Sequence, residues 1–353
     1  MNEEISKILA EAINAPSGDN SQPWKFEVNK DQIYLYNIPE RDVSMYNYKQ
    51  RGSLVAHGAL LENISIVASK LGYKTKIDLF PKKNDTNCTA LITLEKSDSV
   101  KEDSLSEFIK DRSTNRRLYR REPLEARQRS EILITAEEIE GVDIVFVDDD
   151  ERKDHLGEII SLNEKLILEN KYIHDLLFST LIWTEEEERK KKMGMYAKTL
   201  ELKPPQMAVF KLLKNWIFAR LMTKLGFPKI LQKESSNLYS SCAAIGAILI
   251  NNDSKENFIA TGRLLEKIWL KAVKMNLSLQ PITAIAFLNQ KVEDGDMKNL
   301  SSFHAELIKK AYRDMERIFG SEGKIISMVF RVGDGGKPNF YSSKLSPEIV
   351  FND

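Results

Sequence analysis

The stretch Asp111–Pro123 reads DRSTNRRLYRREP and places Arg112, Arg116, Arg117, Arg120 and Arg121 within ten residues, interleaved with Ser113, Thr114 and Asn115. The whole chain carries 52 basic and 52 acidic side chains and no net charge, so this density is local. A guanidinium is a planar fork that grips a phosphate through two parallel hydrogen bonds, and hydroxyls supply shorter donors beside it. Each charge-assisted bond contributes about 1.5–3 kcal/mol net, so three of them would set the affinity of a phosphorylated ligand. The competing reading is a solvated basic linker whose arginines find carboxylates elsewhere. A second stretch, APSGDNSQPWKF (Ala15–Phe26), follows a helical pattern with six poor helix formers, several of which favour turns because their side chains bond nearby backbone. That is more than a simple connection needs, and it suggests a loop shaped to hold something.

Other chemistries have little to build on. The only cysteines, Cys88 and Cys242, form no CxxC motif, and His57, His155, His174 and His304 are scattered, so no metal site is expected. No Ser-His-Asp or paired-carboxylate arrangement stands out, and no catalytic side chain is assigned. The charge balance gives no field for nucleic acid. Asn87-Cys88-Thr89 fits a glycosylation sequon by chance. The start, Met1-Asn2-Glu3-Glu4, is acidic where a secretory signal would be basic. The longest apolar run, Cys242–Ile250, falls far short of the ~20 residues that span a bilayer. A cytoplasmic protein without stable membrane insertion is expected.

The elements that would position these stretches follow from periodicity. Ile5, Ile8, Leu9, Ala12 and Ile13 predict a helix over 5–14 with one buried face. Trp24–Val28 and Ile33–Tyr36 read as a hairpin around Asn29-Lys30-Asp31. Gly52–Gly72 predicts a long helix with Gly72 as its C-cap, and strands are predicted at 76–80 and 89–95. A second round has helices over 103–110 and 124–138 and a strand at 142–147. It continues with helices between 149 and 192, a strand at 243–251 and a helix over 257–275. Strands at 280–287 and 324–332 complete it. The two long helices resemble each other: GSLVAHGALLENISIVASKLGY (Gly52–Tyr73) and ATGRLLEKIWLKAVKMNLSL (Ala260–Leu279) both run from a small-residue start through Leu-Leu-Glu to a late alanine. An internal repeat is the reading.

With these residues in view, the chain resembles the FMN-dependent nitroreductase family. APSGDNSQPWKF is similar to that family's APS-x-N-x-QPW loop, and RSTNRR (Arg112–Arg117) to its Arg-x-Ser/Thr-x-Lys/Arg phosphate motif. TGRLLEKIWLKAVKMNLSLQPITA resembles its helix and strand ending in a Pro-Ile pair beside the flavin. FRVGDGGKPNFYSSKLSPEIV (Phe330–Val350) resembles its C-terminal tail, where basic residues close over the phosphate. The resemblance implies an α+β, nitroreductase-like fold with antiparallel-rich sheets flanked by helices. It implies that Arg112, Thr114 and Arg116 hold the FMN phosphate and that Ser113 meets the ring system. Pro16, Ser17, Gly18, Asn20 and Gln22 would form the loop pressed against the flavin. Pro281 and Ile282 would lie near its N5, and Lys344 would belong to the closing tail.

In the family the phosphate motif comes first and the Pro-Ser-x-Asn loop shortly after, with the flavin at a dimer interface. Here the loop lies in the first half with no arginine before it. The phosphate motif opens the second half, followed only by TAEEIEGVDIVFV (Thr135–Val147). Each half keeps what the other lost. The chain is therefore expected to be a fused, degenerate pair, residues 1–100 and 101–353, that imitates two subunits, binds one FMN and is a monomer. The resemblance implies hydride transfer from NAD(P)H to flavin N5, then to a small conjugated acceptor of quinone or nitroaromatic type, by a ping-pong route. The alternative is an FMN storage or sequestration protein with a lidded site.

Residues 185–240 match nothing in the family and are expected to form a helical insert or lid. TEEEERKKKM offers four i,i+4 ion pairs from Glu185–Arg189 to Glu188–Lys192, the pattern of a solvated face. Further on, Phe210, Leu213, Ile217, Leu221 and Leu225 recur on one helical face among Lys211, Lys214, Arg220 and Lys224. A lid over the flavin, burial against the core, and a helix lying on a membrane surface are the three readings.

Overall fold

The computed structural model describes residues 1–352. The first part of the chain runs α1 (Asn2–Ala12), β1 (Trp24–Asn29), β2 (Gln32–Asn37), α2 (Arg51–Lys70), β3 (Tyr73–Leu79) and β4 (Cys88–Lys96). Then come α3 (Ala126–Glu137), β5 (Val142–Val147), α4 (Asp150–Ile160), α5 (Leu162–Glu169), α6 (Lys171–Thr180), β6 (Leu181–Ile182), α7 (Glu185–Lys191) and β7 (Met195–Tyr196). The remainder is α8 (Pro204–Leu213), α9 (Trp216–Lys224), α10 (Phe227–Ser240), β8 (Ala244–Ile250), α11 (Lys255–Lys274), β9 (Ser278–Pro281), α12 (Ala284–Glu293), α13 (Ser302–Phe319), β10 (Ile325–Gly333) and β11 (Ile349–Asn352).

Two larger sheets result, ordered β11-β1-β2-β4-β3 and β5-β8-β10-β9. Every pairing in them is antiparallel except that of β1 with β11. The expected α+β class with antiparallel-rich sheets is what forms. In the first sheet, Trp24, Phe26 and Val28 alternate inward as a half-buried strand requires, while β8 is buried on both faces. That central position explains the apolar run at 242–250. One face of the second sheet packs towards α11, and the other, through Ile245, Ala247 and Leu249, packs on α4, α12 and α13.

The long helices α2 and α11 cross at the centre, glycine against helix backbone. A Cβ on Gly58 would stand 2.0 Å from the Ile259 carbonyl oxygen, and one on Gly262 would stand 1.9 Å from that of Val55. Only glycine admits this approach. The contact is reciprocal: Val55, Gly58, Ala59 and Glu62 correspond, at constant separation in sequence, to Ile259, Gly262, Arg263 and Glu266. The neighbours of Gly58 include Arg263, and those of Gly262 include Ala59.

Several expected elements differ. The strand expected over 280–287 stops at Pro281, because Ile282 turns to bond the Val329 carbonyl oxygen (2.8 Å) and α12 begins at Ala284. The helix over 103–110 is a short 3-10 turn, Ser104–Phe108, capped by Asp103. The apolar face expected along 210–225 is interrupted, since Asn215 caps a new helix by accepting from the backbone N–H groups of Ile217 and Phe218. The strand β11 was not foreseen, and it carries the chain's last residues into the first sheet, across the division at residue 100.

Candidate functional site

The loop Pro16–Gln22 is a 3-10 turn forced into an unusual path. Asp19 (φ 46°), Asn20 (φ 58°) and Gln22 (φ 48°) all adopt the left-handed region, which a chain retains only where its surroundings over-determine it. Here they do. The Ser17 hydroxyl accepts from Gln22 N–H (3.0 Å), and Asn20 Nδ2 donates to the Ser343 carbonyl (3.0 Å). Gln22 donates through Nε2 to the Lys192 carbonyl (2.7 Å) and accepts at Oε1 from Leu345 N–H (2.9 Å). Lys344 Nζ donates to the Ala15 carbonyl and to Asn20 Oδ1, both at 2.9 Å. From beneath, His57 on α2 bonds the Pro23 carbonyl through Nε2 (2.8 Å). Pro16, Ser17 and Asn20 remain half-buried and Gly18 exposed, so the loop presents a surface.

The arginine segment divides. Arg112 and Arg116 turn inward, while Arg120 and Arg121 pair outward with Asp334 (3.5 Å) and Asp154 (2.5 Å), as in the linker reading. Arg112 is buried: it donates to the Asn14 carbonyl (2.5 Å), lies over the Trp269 ring, and sets Nε 3.3 Å from Glu266 Oε1. Arg116 donates to the carbonyl and hydroxyl of Thr199 (3.2 and 3.3 Å). Thr114 is bridged to Leu279 of β9, and Ser113 and Thr114 are half-buried. Pro281 ends that same strand and Ile282 follows it; among the described residues no hydrogen bond joins them to the Pro16–Gln22 loop.

Asp19 is exposed to water, yet burial pushes its carboxyl upward against the pull of Arg116. Lys344 is half-buried and is lowered to about 7, by desolvation first and by Arg112 second. Glu164 is raised to about 7 by burial while accepting the Tyr239 hydroxyl (2.5 Å), and Tyr46, which donates to Asn163 (2.8 Å), feels both Asp19 and Glu164. Protein packed close around these groups costs their charged forms hydration. Glu266, wholly buried at the helix crossing, is raised to about 7 by desolvation, and neither of its oxygens has a hydrogen-bond partner. Arg112, Arg116 and Lys344 bring three cationic side chains near the Pro16–Gln22 loop and the segment packed on it, a set suited to binding an anion. Among the described residues no His/Cys/Asp/Glu cluster could hold a metal.

Sequence reasoning missed Asp19 as a charged member, Glu266, and Arg331. Glu266 was signalled by the repeated Leu-Leu-Glu. Arg331 is fully buried on β10 and ties Gln280 Oε1 (2.8 Å) and the Arg117 carbonyl (2.6 Å) together, holding the arginine segment against β9. Nothing in the apolar run around it announces that role. The solvated reading of α7 needs one correction. Glu185–Arg189 (2.8 Å) and Glu187–Lys191 (3.6 Å) do pair in the open, but Glu188 is buried and accepts from Ser343 N–H (2.5 Å).

No family model matches the chain. An uncharacterised protein of Mycobacterium tuberculosis is 22% identical over 343 residues, which are 96% of this chain and 47% of that protein. Two proteins of the same organism that are provisionally named NAD(P)H nitroreductases are 27% identical over 118 residues (33% of this chain, 34% of theirs) and 26% identical over 180 (49% and 53%). The chain thus spans about half or less of the curated relatives it matches. Among solved structures, a Bacteroides fragilis nitroreductase with bound FMN aligns with a TM-score of 0.37 at 10% identity, covering 69% of this chain and 94% of that one. A nitroreductase-like protein of Bacillus cereus gives 0.35 at 15%, covering 69% and 91%.

Proposed function

We propose that this chain is a nitroreductase-type flavoprotein that binds one FMN beside the Pro16–Gln22 loop and works as an NAD(P)H-dependent oxidoreductase on a small conjugated acceptor. One observation carries the reading: the Pro16–Gln22 loop, Arg112 and Arg116, and Lys344 converge although they are scattered along the sequence. Lys344 donates to Asn20 and Arg112 to the Asn14 carbonyl, while Arg116 donates to Thr199 on the segment whose Lys192 accepts from Gln22. This donor set fits FMN. Two guanidiniums and a desolvated ammonium suit a phosphate dianion, and a loop fixed by hydrogen bonds to Lys192, Ser343 and Leu345 suits a planar ring. The cofactor, when bound, would accept hydride at N5 and pass electrons to a quinone-like or nitroaromatic acceptor in a ping-pong sequence. The residues of the chain bind and orient it: Arg112, Thr114 and Arg116 at the phosphate, Ser113 and the Pro16–Gln22 loop at the ring and ribityl chain, Pro281-Ile282 behind the ring, and Lys344 closing the site. The fused-pair reading, with halves 1–100 and 101–353, draws support from the reciprocal crossing of α2 and α11 and from β11 joining the first sheet.

The test is the visible spectrum of the purified protein, its flavin-to-protein ratio, and anaerobic addition of NADH and NADPH. A ratio near one with rapid bleaching of the flavin band supports the oxidoreductase; a ratio near two overturns the single site. A second reading, FMN sequestration, is favoured by one feature. Residues 188–199 lie against the loop and the arginines, Lys192 accepting from Gln22, Thr199 from Arg116 and Glu188 from Ser343. Such a cover would hinder a nicotinamide. Tight flavin that dithionite alone reduces would establish that reading.

A further inference from the structure

Residues 203–233 contain seven cations (Lys203, Lys211, Lys214, Arg220, Lys224, Lys229 and Lys233) and no aspartate or glutamate, in a chain whose charges otherwise cancel. Among the described residues none of the seven is in an ion pair. Between them stand large apolar side chains in water: Leu212 (57% exposed), Ile217 (79%), Leu221 (53%), Leu225 (70%) and Ile230 (56%). Leu212, Ile217 and Leu221 line one shallow groove of about 430 Å³ between α8 and α9, and Leu225 continues the i,i+4 row beyond Leu221. Arg220 and Lys224 lie one position earlier on each turn, about 100° round the helix. The inner side of the same helices is separately satisfied, with Leu213 and Ala219 buried against Phe178 and Leu181. The outward row is therefore neither core nor the underside of a lid.

We propose that this face of α8 and α9 docks the protein reversibly on an anionic lipid surface, its apolar row entering the headgroup boundary and its cations meeting lipid phosphates. The charge pattern selects that occupant. An apolar strip alone would suit another protein, but an acid-free basic rim complements a surface of negative charge, and the combination is that of a helix lying in the interfacial plane. Base stacking would need a row of aromatic faces, and the groove has a single aromatic, the half-buried Phe218. No helix is long and apolar enough to cross a membrane, and peripheral docking needs none.

The test is flotation of the full-length protein with vesicles of phosphatidylcholine alone or mixed with phosphatidylglycerol. Binding is expected to the mixed vesicles only and to weaken with salt. Each of Lys211→Gln, Lys214→Gln and Lys224→Gln should lower the partition coefficient about fivefold, and Ile217→Asp with Leu221→Asp should lower it at least tenfold. All five side chains are exposed, so unchanged near-ultraviolet circular dichroism and thermal midpoint serve as the folding control. The proposal is overturned if the protein stays in solution with both vesicle types, or if the folded variants bind as the parent does. It is overturned equally if sedimentation velocity reveals a dimer that the Ile217→Asp, Leu221→Asp variant dissolves, because a second copy would then cover the face.

Discussion

Gly58→Ala, Gly262→Ala and the double variant probe the crossing of α2 and α11. The added Cβ would lie 2.0 Å from Ile259 O in the first case and 1.9 Å from Val55 O in the second. An ordinary Cβ contact begins near 3.4 Å, so the helices must part by about 1.5 Å. Neither obstacle is a side chain that can swing away. Overpacking by one methyl group costs about 1–3 kcal/mol in a close-packed core, and a backbone obstacle puts each single variant near the upper end. The double variant is the sharper test. Both Cβ atoms occupy the same gap, so one separation accommodates both, and the pair should cost about as much as the worse single. Independent sites would add to within about 0.5 kcal/mol. Urea unfolding followed by circular dichroism gives the midpoints and slopes. Single costs under about 0.5 kcal/mol, or strict additivity, would refute the reasoning. The candidate site should report the same event: His57 on α2 anchors Pro23 and Glu266 on α11 faces Arg112. Parting the helices should therefore lower flavin retention as well.

Arg116→Met should weaken FMN binding about ten- to a hundredfold, the loss of one charge-assisted bond of about 1.5–3 kcal/mol; fluorescence titration of the apoprotein measures it, and an unchanged Kd removes Arg116 from the phosphate site. His57 is lowered to about 4 by complete burial while it bonds Thr89 and Pro23. A depressed folded value means that its contribution is present above pH 6.5 and is lost as pH falls through 4. The midpoint difference between the parent and His57→Gln should therefore shrink by on the order of 3 kcal/mol over that window, and a pH-independent difference would contradict the assignment. Glu164, raised to about 7, has the opposite sign: its contribution is complete below pH 4.5 and is lost as pH rises through 7. Glu164→Gln should flatten that part of the stability profile, and an unaltered slope would count against a desolvated carboxyl. Lys344→Met should weaken FMN binding yet raise the stability of the apoprotein relative to the parent as pH falls from 10 to 7. Loss of both would mark Lys344 as structural only.

Legibility in the sequence followed the kind of interaction involved. Elements set by local periodicity were readable: the apolar spacing of α1, the Asn-Lys-Asp turn of the first hairpin, and the small-residue helices with their Leu-Leu-Glu. Their glycines hinted at close approach, but that Gly58 and Gly262 face each other is a property of two chain segments meeting, which periodicity does not encode. The end of β9 was misjudged because Gln280–Phe287 is apolar enough for a strand, and only the turn of Ile282 back to Val329 stops it. The strand β11 exists through its partner alone. At the site, the arginine cluster was visible as composition, while the sorting of Arg112 and Arg116 inward from Arg120 and Arg121 depended on where Glu266, Asp154 and Asp334 come to lie.

That sorting bears on function more than the count of arginines does. A solvated arginine beside a surface aspartate gains little from a ligand, since a paired exposed charge contributes about 1 kcal/mol or less. Lys344 is in the opposite position, stripped of water, near Arg112 and balanced only in part by Glu266 and Glu188. Such a group costs stability whenever it is charged, and a dianion placed beside it would recover that cost together with the new bonds. Binding would then raise the Lys344 pKa and take up a proton at pH 8. It would also stabilise the fold by mass action. Calorimetric titration of the apoprotein with FMN in two buffers of different ionisation enthalpy reads that proton directly. Uptake that disappears in Lys344→Met would tie the anion to this ammonium, and proton-neutral binding in the parent would place the phosphate elsewhere.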